Sequence, residues 1–209
     1  MIKNKRLVDL TVGLAKVSGF VPGWLFFLPR VRLAPGAKRR LPKNCILVSN
    51  HTSLLDFAVY LLIFPFRTIR FPMAEVLFNK GKFMSALLYA LGGIRVDREG
   101  KDFGFVSSCL EVLDDGQTLG IFPQGRLPVN GKPFPFTVST AFIATHTDAP
   151  IIPVYTHGNY GFFKRSEVVI GEPMYVSEHL QPGLSKDAQL QQLTDLLEKT
   201  VYDLKDYIH

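Results

Sequence analysis

An α/β domain with a single mixed β-sheet flanked by helices is the expectation for these 209 residues. Short apolar runs of strand length alternate along the chain with longer stretches of helical periodicity. Glycines and prolines mark many of the changes from one to the other, as turn chemistry requires. The length suits one domain that buries a sizeable core without staples, and no internal repeat or low-complexity tract interrupts it.

Each element follows from its local pattern. Residues 7–29 are rich in Leu, Val and Phe, carry Trp24, and are broken by Pro22-Gly23; they read as two short amphipathic helices. Lys38-Arg39-Arg40-Leu41-Pro42 is a basic, turn-prone link. Cys45-Ile46-Leu47-Val48 is apolar throughout and reads as a buried strand. Leu54, Leu55, Phe57, Ala58, Leu61 and Leu62 then give a helix over 53–64 that stops at Phe64-Pro65. A strand is expected at 69–74, a helix at 83–91 closed by Gly92-Gly93, and a strand at 94–97. A helix over 101–114 ends at Asp115-Gly116 and is followed by a strand at 119–122. A helix at 138–147 and strands at 151–155 and 167–170 come next. From Ser185 the pattern Leu190, Leu193, Leu196, Leu197, Val201 and Leu204 makes an amphipathic closing helix.

The net charge of +6 is unevenly placed, because residues 1–43 hold ten Lys/Arg against the single acid Asp9 while the remainder is net acidic. Such an end implies an acidic surface as partner. The apolar residues between those charges favour an anionic membrane surface and argue against nucleic acid. Asp9, Lys16 and the Pro-Gly break disfavour a spanning helix, which needs about 20 consecutive apolar residues. Phe26-Phe27-Leu28-Pro29-Arg30 is a poor signal-peptide cleavage site. Two amphipathic helices lying among the headgroups fit better, with Trp24 and the basic flanks, Arg30 and Arg32 among them, at the interface. The alternative for this segment is a helical hairpin covering the core. Residues 1–40 are therefore expected to form a basic, amphipathic membrane-association segment and 41–209 the main domain, peripheral or monotopic on the cytoplasmic face. The two cysteines, Cys45 and Cys109, sit in apolar contexts with no zinc-ligand spacing, so no metal and no disulfide scaffold are expected and a reducing setting fits.

Chemistry concentrates in Asn50-His51-Thr52-Ser53-Leu54-Leu55-Asp56. On one continuous helix, His51 and Asp56 would be turned about 500° apart and face different ways. They meet only if His51 lies in the loop and Asp56 in the first turns of the following helix. An imidazole at a strand end, with a carboxylate holding its other nitrogen, is a general-base arrangement. The competing reading is a polar loop with an incidental helix-start acid. Three further blocks sit at expected strand ends, where α/β folds gather their chemistry. Gly92-Gly93-Ile94-Arg95-Val96-Asp97-Arg98 offers two arginines, and Phe122-Pro123-Gln124-Gly125-Arg126 a glycine turn with an arginine. Pro150-Ile151-Ile152-Pro153-Val154 is a strand with prolines at its start and within. Arginine at such places suits phosphate, since the guanidinium is a permanent, bidentate donor, although a lone arginine is more often a surface charge. His157-Gly158-Asn159-Tyr160 follows a strand and is a candidate lining of the same cleft.

In this order the four blocks resemble those of the lysophosphatidic acid acyltransferase family of glycerolipid acyltransferases. That family carries Asn-His-x4-Asp, then Gly-x3-Ile/Val-Asp/Phe-Arg, Phe-Pro-Glu-Gly-x-Arg and Pro-Ile/Val-x-Pro-Val. Ile170-Gly171-Glu172-Pro173 also looks like a recurrent turn of the family, so the likeness covers residues 40–176. The resemblance implies transfer of a fatty acyl group from an acyl-CoA or acyl carrier protein thioester to a lysophospholipid hydroxyl, most simply that of 1-acylglycerol-3-phosphate. No bound cofactor is implied. His51 would be the base and Asp56 its orienting acid. Arg98 and Arg126 would contact the acceptor phosphate, Gln124 would lie at the substrate, and Gly125 would let the backbone approach. The Pro150 block would shape the channel or serve only as a buried strand. Three features depart from the pattern. The family's glutamate is Gln124 and its spacing to Arg126 is one residue shorter, while Phe136-Thr137-Val138-Ser139 stands where many members carry Phe-Lys-x-Gly. These departures keep two alternatives open: another acceptor, such as a different lysophospholipid or an acylated amino acid or sugar, and a catalytically weak lipid-binding protein on the same scaffold. A serine hydrolase would need a Gly-x-Ser-x-Gly turn, which the chain lacks.

Overall fold

The computed structural model describes residues 5–96, 104–162 and 164–208. Among them, β1 (Arg30–Leu33), β2 (Ile46–Ser49), β3 (Ile69–Ala74), β4 (Gly93–Val96), β5 (Thr118–Ile121), β6 (Ile151–Thr156) and β7 (Glu167–Ile170) form one sheet. The strand order is β1-β7-β6-β2-β5-β3-β4. Neighbours run parallel except β6 and β7, so the sheet is mixed, as the sequence predicts.

Strand β2 is central and fully buried, which is why it reads as an unbroken apolar run. Its side chains alternate between two cores. Ile46 and Val48 join Leu119, Ile121 and Ile151 under α5 (Gly104–Asp114), α6 (Val138–Ala144) and α7 (Lys186–Asp203). Leu47 joins Phe71, Ile152 and Val154 beneath α2 (Asp56–Ile63), with Phe27 of α1 (Lys5–Phe27) and Leu88 of α4 (Lys82–Ala90) in the same cluster. Each such aliphatic side chain, fully buried, contributes about 1.5–3 kcal/mol. Gly120 on β5 is required by this packing: a Cβ there would lie 2.2 Å from the Phe71 ring.

Three features differ from the expectation. Residues 5–27 form one helix that continues through Pro22 instead of two. A proline removes a single ladder bond, and Gly23 lets Leu62 approach to 3.1 Å from where a Cβ would stand, so packing on α2 holds the helix end in line. Strand β1 is the second: Arg30 and Arg32, expected only as basic flanks of the N-terminal segment, lie on a strand and pair with Glu167 on β7, at 3.7 and 3.1 Å. The alternation Arg30-Val31-Arg32-Leu33 was a legible strand signal, and β1 falls inside the stretch read as membrane segment. The third is a one-turn helix, α3 (Glu75–Phe78), that follows β3 directly.

Candidate active site

Strands β2, β5 and β6 lie side by side and parallel, so the loops that follow them emerge at one edge of the sheet. Asn50 ties two of these loops together. Its carboxamide donates to Thr156 O and accepts from Thr156 N–H, both at 2.8 Å. That pair continues the β2–β6 ladder one step beyond its last registered strand pair, Ser49 with Val154.

Beyond Asn50 the chain wraps around the carboxylate of Asp56, which is wholly buried at the start of α2. Oδ2 accepts from Thr52 N–H at 2.6 Å, from Ser53 N–H at 2.9 Å and from His51 Nδ1 at 2.7 Å. Oδ1 accepts from the Thr52 hydroxyl at 2.8 Å and the Tyr160 hydroxyl at 2.5 Å. Five donors converging on two oxygens is the pattern an acceptor-only carboxylate satisfies. Because Nδ1–H points at Asp56, His51 is left with Nε2 as its acceptor nitrogen. The imidazole is stacked on Phe122 of the β5 loop, with centroids 4.3 Å apart and planes 14° apart. Phe122 rests in turn on Phe71, at 5.7 Å, over the space that Gly120 leaves.

Gln124 holds the histidine from beneath. Its Oε1 accepts the His51 backbone N–H at 3.0 Å, and its Nε2 donates to the Tyr202 hydroxyl of α7 at 3.1 Å. With 3% of its surface exposed and both ends of the amide engaged, Gln124 faces the protein and not an open cleft, unlike the substrate contact expected of it. Gly125 adopts φ +66, the left-handed turn for which glycine is suited, and its N–H closes onto Phe122 O at 2.9 Å. Arg126 emerges exposed, its guanidinium 4.8 Å over the Phe134 ring. Arg98 lies outside the described residues, whereas Arg95 is half-exposed and ion-paired with Glu75. Thr137, which stands where many members of the resembled family carry lysine, donates to Pro123 O at 2.8 Å, a structural tie. The Pro150–Val154 block supplies β6, buried along its length.

The loop after β6 completes the site. Gly158 has φ +73, and a Cβ there would lie 2.2 Å from Thr52 Oγ1, so this glycine lets the two loops touch. Burial and the charge of Asp56 push the Tyr160 phenol far above its ordinary range, which keeps it a proton donor. The same two causes, in that order, raise Tyr60, which is hydrogen-bonded to Ser49. Tyr202 lay outside every block read from the sequence, and Asn50, Thr52 and Tyr160 were named only as members of the His51 block or of the cleft lining; the contacts of Asn50, Tyr160 and Tyr202 depend on which distant elements are neighbours. His51 with Asp56 can accept a proton from a hydroxyl and stabilise the imidazolium that results.

Residues 34–157 match the protein-family model described as Acyltransferase. A human protein named 1-acyl-sn-glycerol-3-phosphate acyltransferase beta is 27% identical over 148 residues, covering 66% of this chain and 50% of that protein. A Bacillus subtilis protein named 1-acyl-sn-glycerol-3-phosphate acyltransferase is 23% identical over 177 residues, covering 81% and 86%. The chain spans about half the length of the human relative. Its fold is shared with the crystal structure of the 1-acyl-sn-glycerophosphate (LPA) acyltransferase, PlsC, from Thermotoga maritima. That likeness has a TM-score of 0.65 at 22% identity and covers 98% of this chain and 84% of the other.

Proposed function

This chain belongs to the Acyltransferase family, and on that footing we propose that it moves a fatty acyl group from an acyl-CoA or acyl carrier protein thioester to the free hydroxyl of a lysophospholipid. The proposed acceptor is 1-acylglycerol-3-phosphate, which the names of the relatives carry, and the proposed product is phosphatidic acid. The observation that carries the reading is the 2.7 Å contact between His51 Nδ1 and a buried Asp56, which leaves Nε2 as the acceptor. Nε2 takes the proton of the attacking hydroxyl as its oxygen bonds to the thioester carbonyl carbon. The C–S bond then breaks, and the departing thiolate recovers the proton from the imidazolium. No acyl-enzyme is required, because the acceptor is itself the nucleophile. Arg126, beside the Gly125 turn, and Arg98 are the proposed phosphate contacts. Gln124 supports the histidine loop from below.

The proposed location is peripheral or monotopic, on the cytoplasmic face of an anionic membrane, held by the N-terminal segment. Among the described residues no helix is long and apolar enough to cross a membrane. Leu10, Leu14, Val21 and Leu25 recur at spacings of four and seven along α1, and all are more than half exposed, an apolar stripe that lipid would cover. Phe20 and Trp24 stack on each other beside it.

The test is transfer from labelled acyl-CoA and acyl carrier protein thioesters to a panel of lysolipids on anionic vesicles, run beside His51→Ala. The expected outcome is phosphatidic acid formed only with His51 present. Product from another acceptor would replace the substrate assignment, and no His51-dependent product from any acceptor would refute the enzymatic reading.

A further inference from the structure

Tyr160 stands outside the four blocks, yet its hydroxyl reaches Asp56 Oδ1 at 2.5 Å and Thr156 Oγ1 at 3.1 Å. Its ring meets Phe27 edge-on, with centroids 5.3 Å apart. Phe27 is the last residue of α1 and is buried. Phe26 beside it packs edge-on against Phe162, two residues beyond Tyr160, at 5.1 Å. The backbone fixes the same junction: Ser166 N–H donates to Phe27 O at 3.0 Å, and Arg30 N–H to Ser166 O at 2.9 Å. The loop bearing Tyr160 is therefore fastened to the end of the N-terminal helix.

We propose that Tyr160 is a positioning residue for the acyl transfer proposed above, and that Phe27 sets it, making the end of α1 part of the support of the His51–Asp56 pair. The argument is geometric. Oδ2 aims at His51 only while the carboxylate plane is fixed, and Oδ1 is held by two hydroxyls, of which Tyr160 alone comes from another part of the chain. The ring that carries that hydroxyl has a face to lean on in Phe27. A displacement of α1 thus reaches the catalytic acid through one aromatic contact and one hydrogen bond. This inference rests on the acyltransferase reading, since positioning has meaning only for a working base.

Tyr160→Phe keeps the ring and its contact with Phe27 and removes only the hydroxyl. The expected result is a kcat lower by about ten- to a hundredfold, the worth of a hydrogen bond to a charged group, with KM unchanged. The acidic limb of the kcat/KM profile moves to higher pH, because an Asp56 relieved of one donor holds the protonated imidazole more firmly; a role in folding alone would leave that limb in place. Phe27→Leu lowers kcat in the same direction by less. The double variant Phe27→Leu/Tyr160→Phe is no slower than Tyr160→Phe, since Phe27 acts through a hydroxyl already gone. Losses that instead multiply would overturn the link to α1, and an unchanged kcat and pH profile in Tyr160→Phe would overturn the positioning role. The downfield NMR resonance of the His51 Nδ1–H proton is read without turnover. If it shifts in Tyr160→Phe while the unmodified protein transfers no acyl group, the contact stands and the enzymatic reading fails. If transfer is intact and the resonance does not move, the inference fails alone.

Discussion

Replacing Asp56 by Asn separates charge from shape at the centre of the site. The asparagine can keep its oxygen at the Oδ2 position, where Thr52 N–H, Ser53 N–H and His51 Nδ1–H all donate. Its NH2 then falls at the Oδ1 position, where the hydroxyls of Thr52 and Tyr160 rotate from donating to accepting. The loop and the imidazole tautomer are thereby retained, and what disappears is the negative charge beside the imidazolium formed during proton transfer. A unit charge pair about 4 Å apart is worth about 4 kcal/mol at the effective dielectric of about 20 that suits protein sites. Losing it corresponds to a fall in kcat of about a thousandfold. Weakened hydrogen bonds to the neutral amide cost about 1 kcal/mol, lowering Tm by about 2–4 °C. Initial rates of acyl transfer, with thermal melts on the same preparations, measure both quantities. A kcat within tenfold of the unmodified protein's, with Tm preserved, would refute the assignment of Asp56 as the acid that supports His51.

Gln124→Glu retains the acceptor for His51 N–H and lets Tyr202 donate instead of accept, so its kcat stays within a few-fold of the parent. Gln124→Leu strands both partners, a cost of about 1–3 kcal/mol that appears in Tm and in kcat together. Gly158→Ala combines a positive φ with a Cβ 2.2 Å from Thr52 Oγ1. It is expected to cost about 1–3 kcal/mol in denaturant unfolding and to reduce transfer by displacing a donor to Asp56. Burial raises the Cys109 thiol from 9.0 up to about 12. Iodoacetamide at pH 8 therefore labels it only after unfolding, as mass spectrometry would read. The proton held by the folded thiol makes stability decline between pH 9 and about 12, and rapid labelling of native Cys109 would refute the burial argument.

Much of the site was legible because its first layer is local. His51 and Asp56 are five residues apart, and the requirement that one lie in a loop and the other at a helix start follows from helical geometry alone. The strand β2 was legible for a different reason: a fully buried parallel strand must be apolar on both faces, and that run cannot be mistaken for an amphipathic element. The N-terminal helix was misread because local pattern overweights Pro22-Gly23, whereas contact with Leu62 carries the helix through it. The pairing of Arg30 and Arg32 with Glu167 was not legible because that partner lies far along the chain.

The sequence by itself thus determined most of the elements, the mixed α/β class and the pairing of His51 with Asp56, because periodicity, turn chemistry and short spacings act over a few residues. Strand order was decided only by the tertiary structure, since it depends on which buried faces fit together over the whole sheet. From that order follow the roles that no local motif announces: Asn50 on Thr156, Gln124 between His51 and Tyr202, and Tyr160 on Asp56. Each joins residues more than 70 positions apart. They hold a His51–Asp56 pair that the sequence names but cannot by itself keep in place.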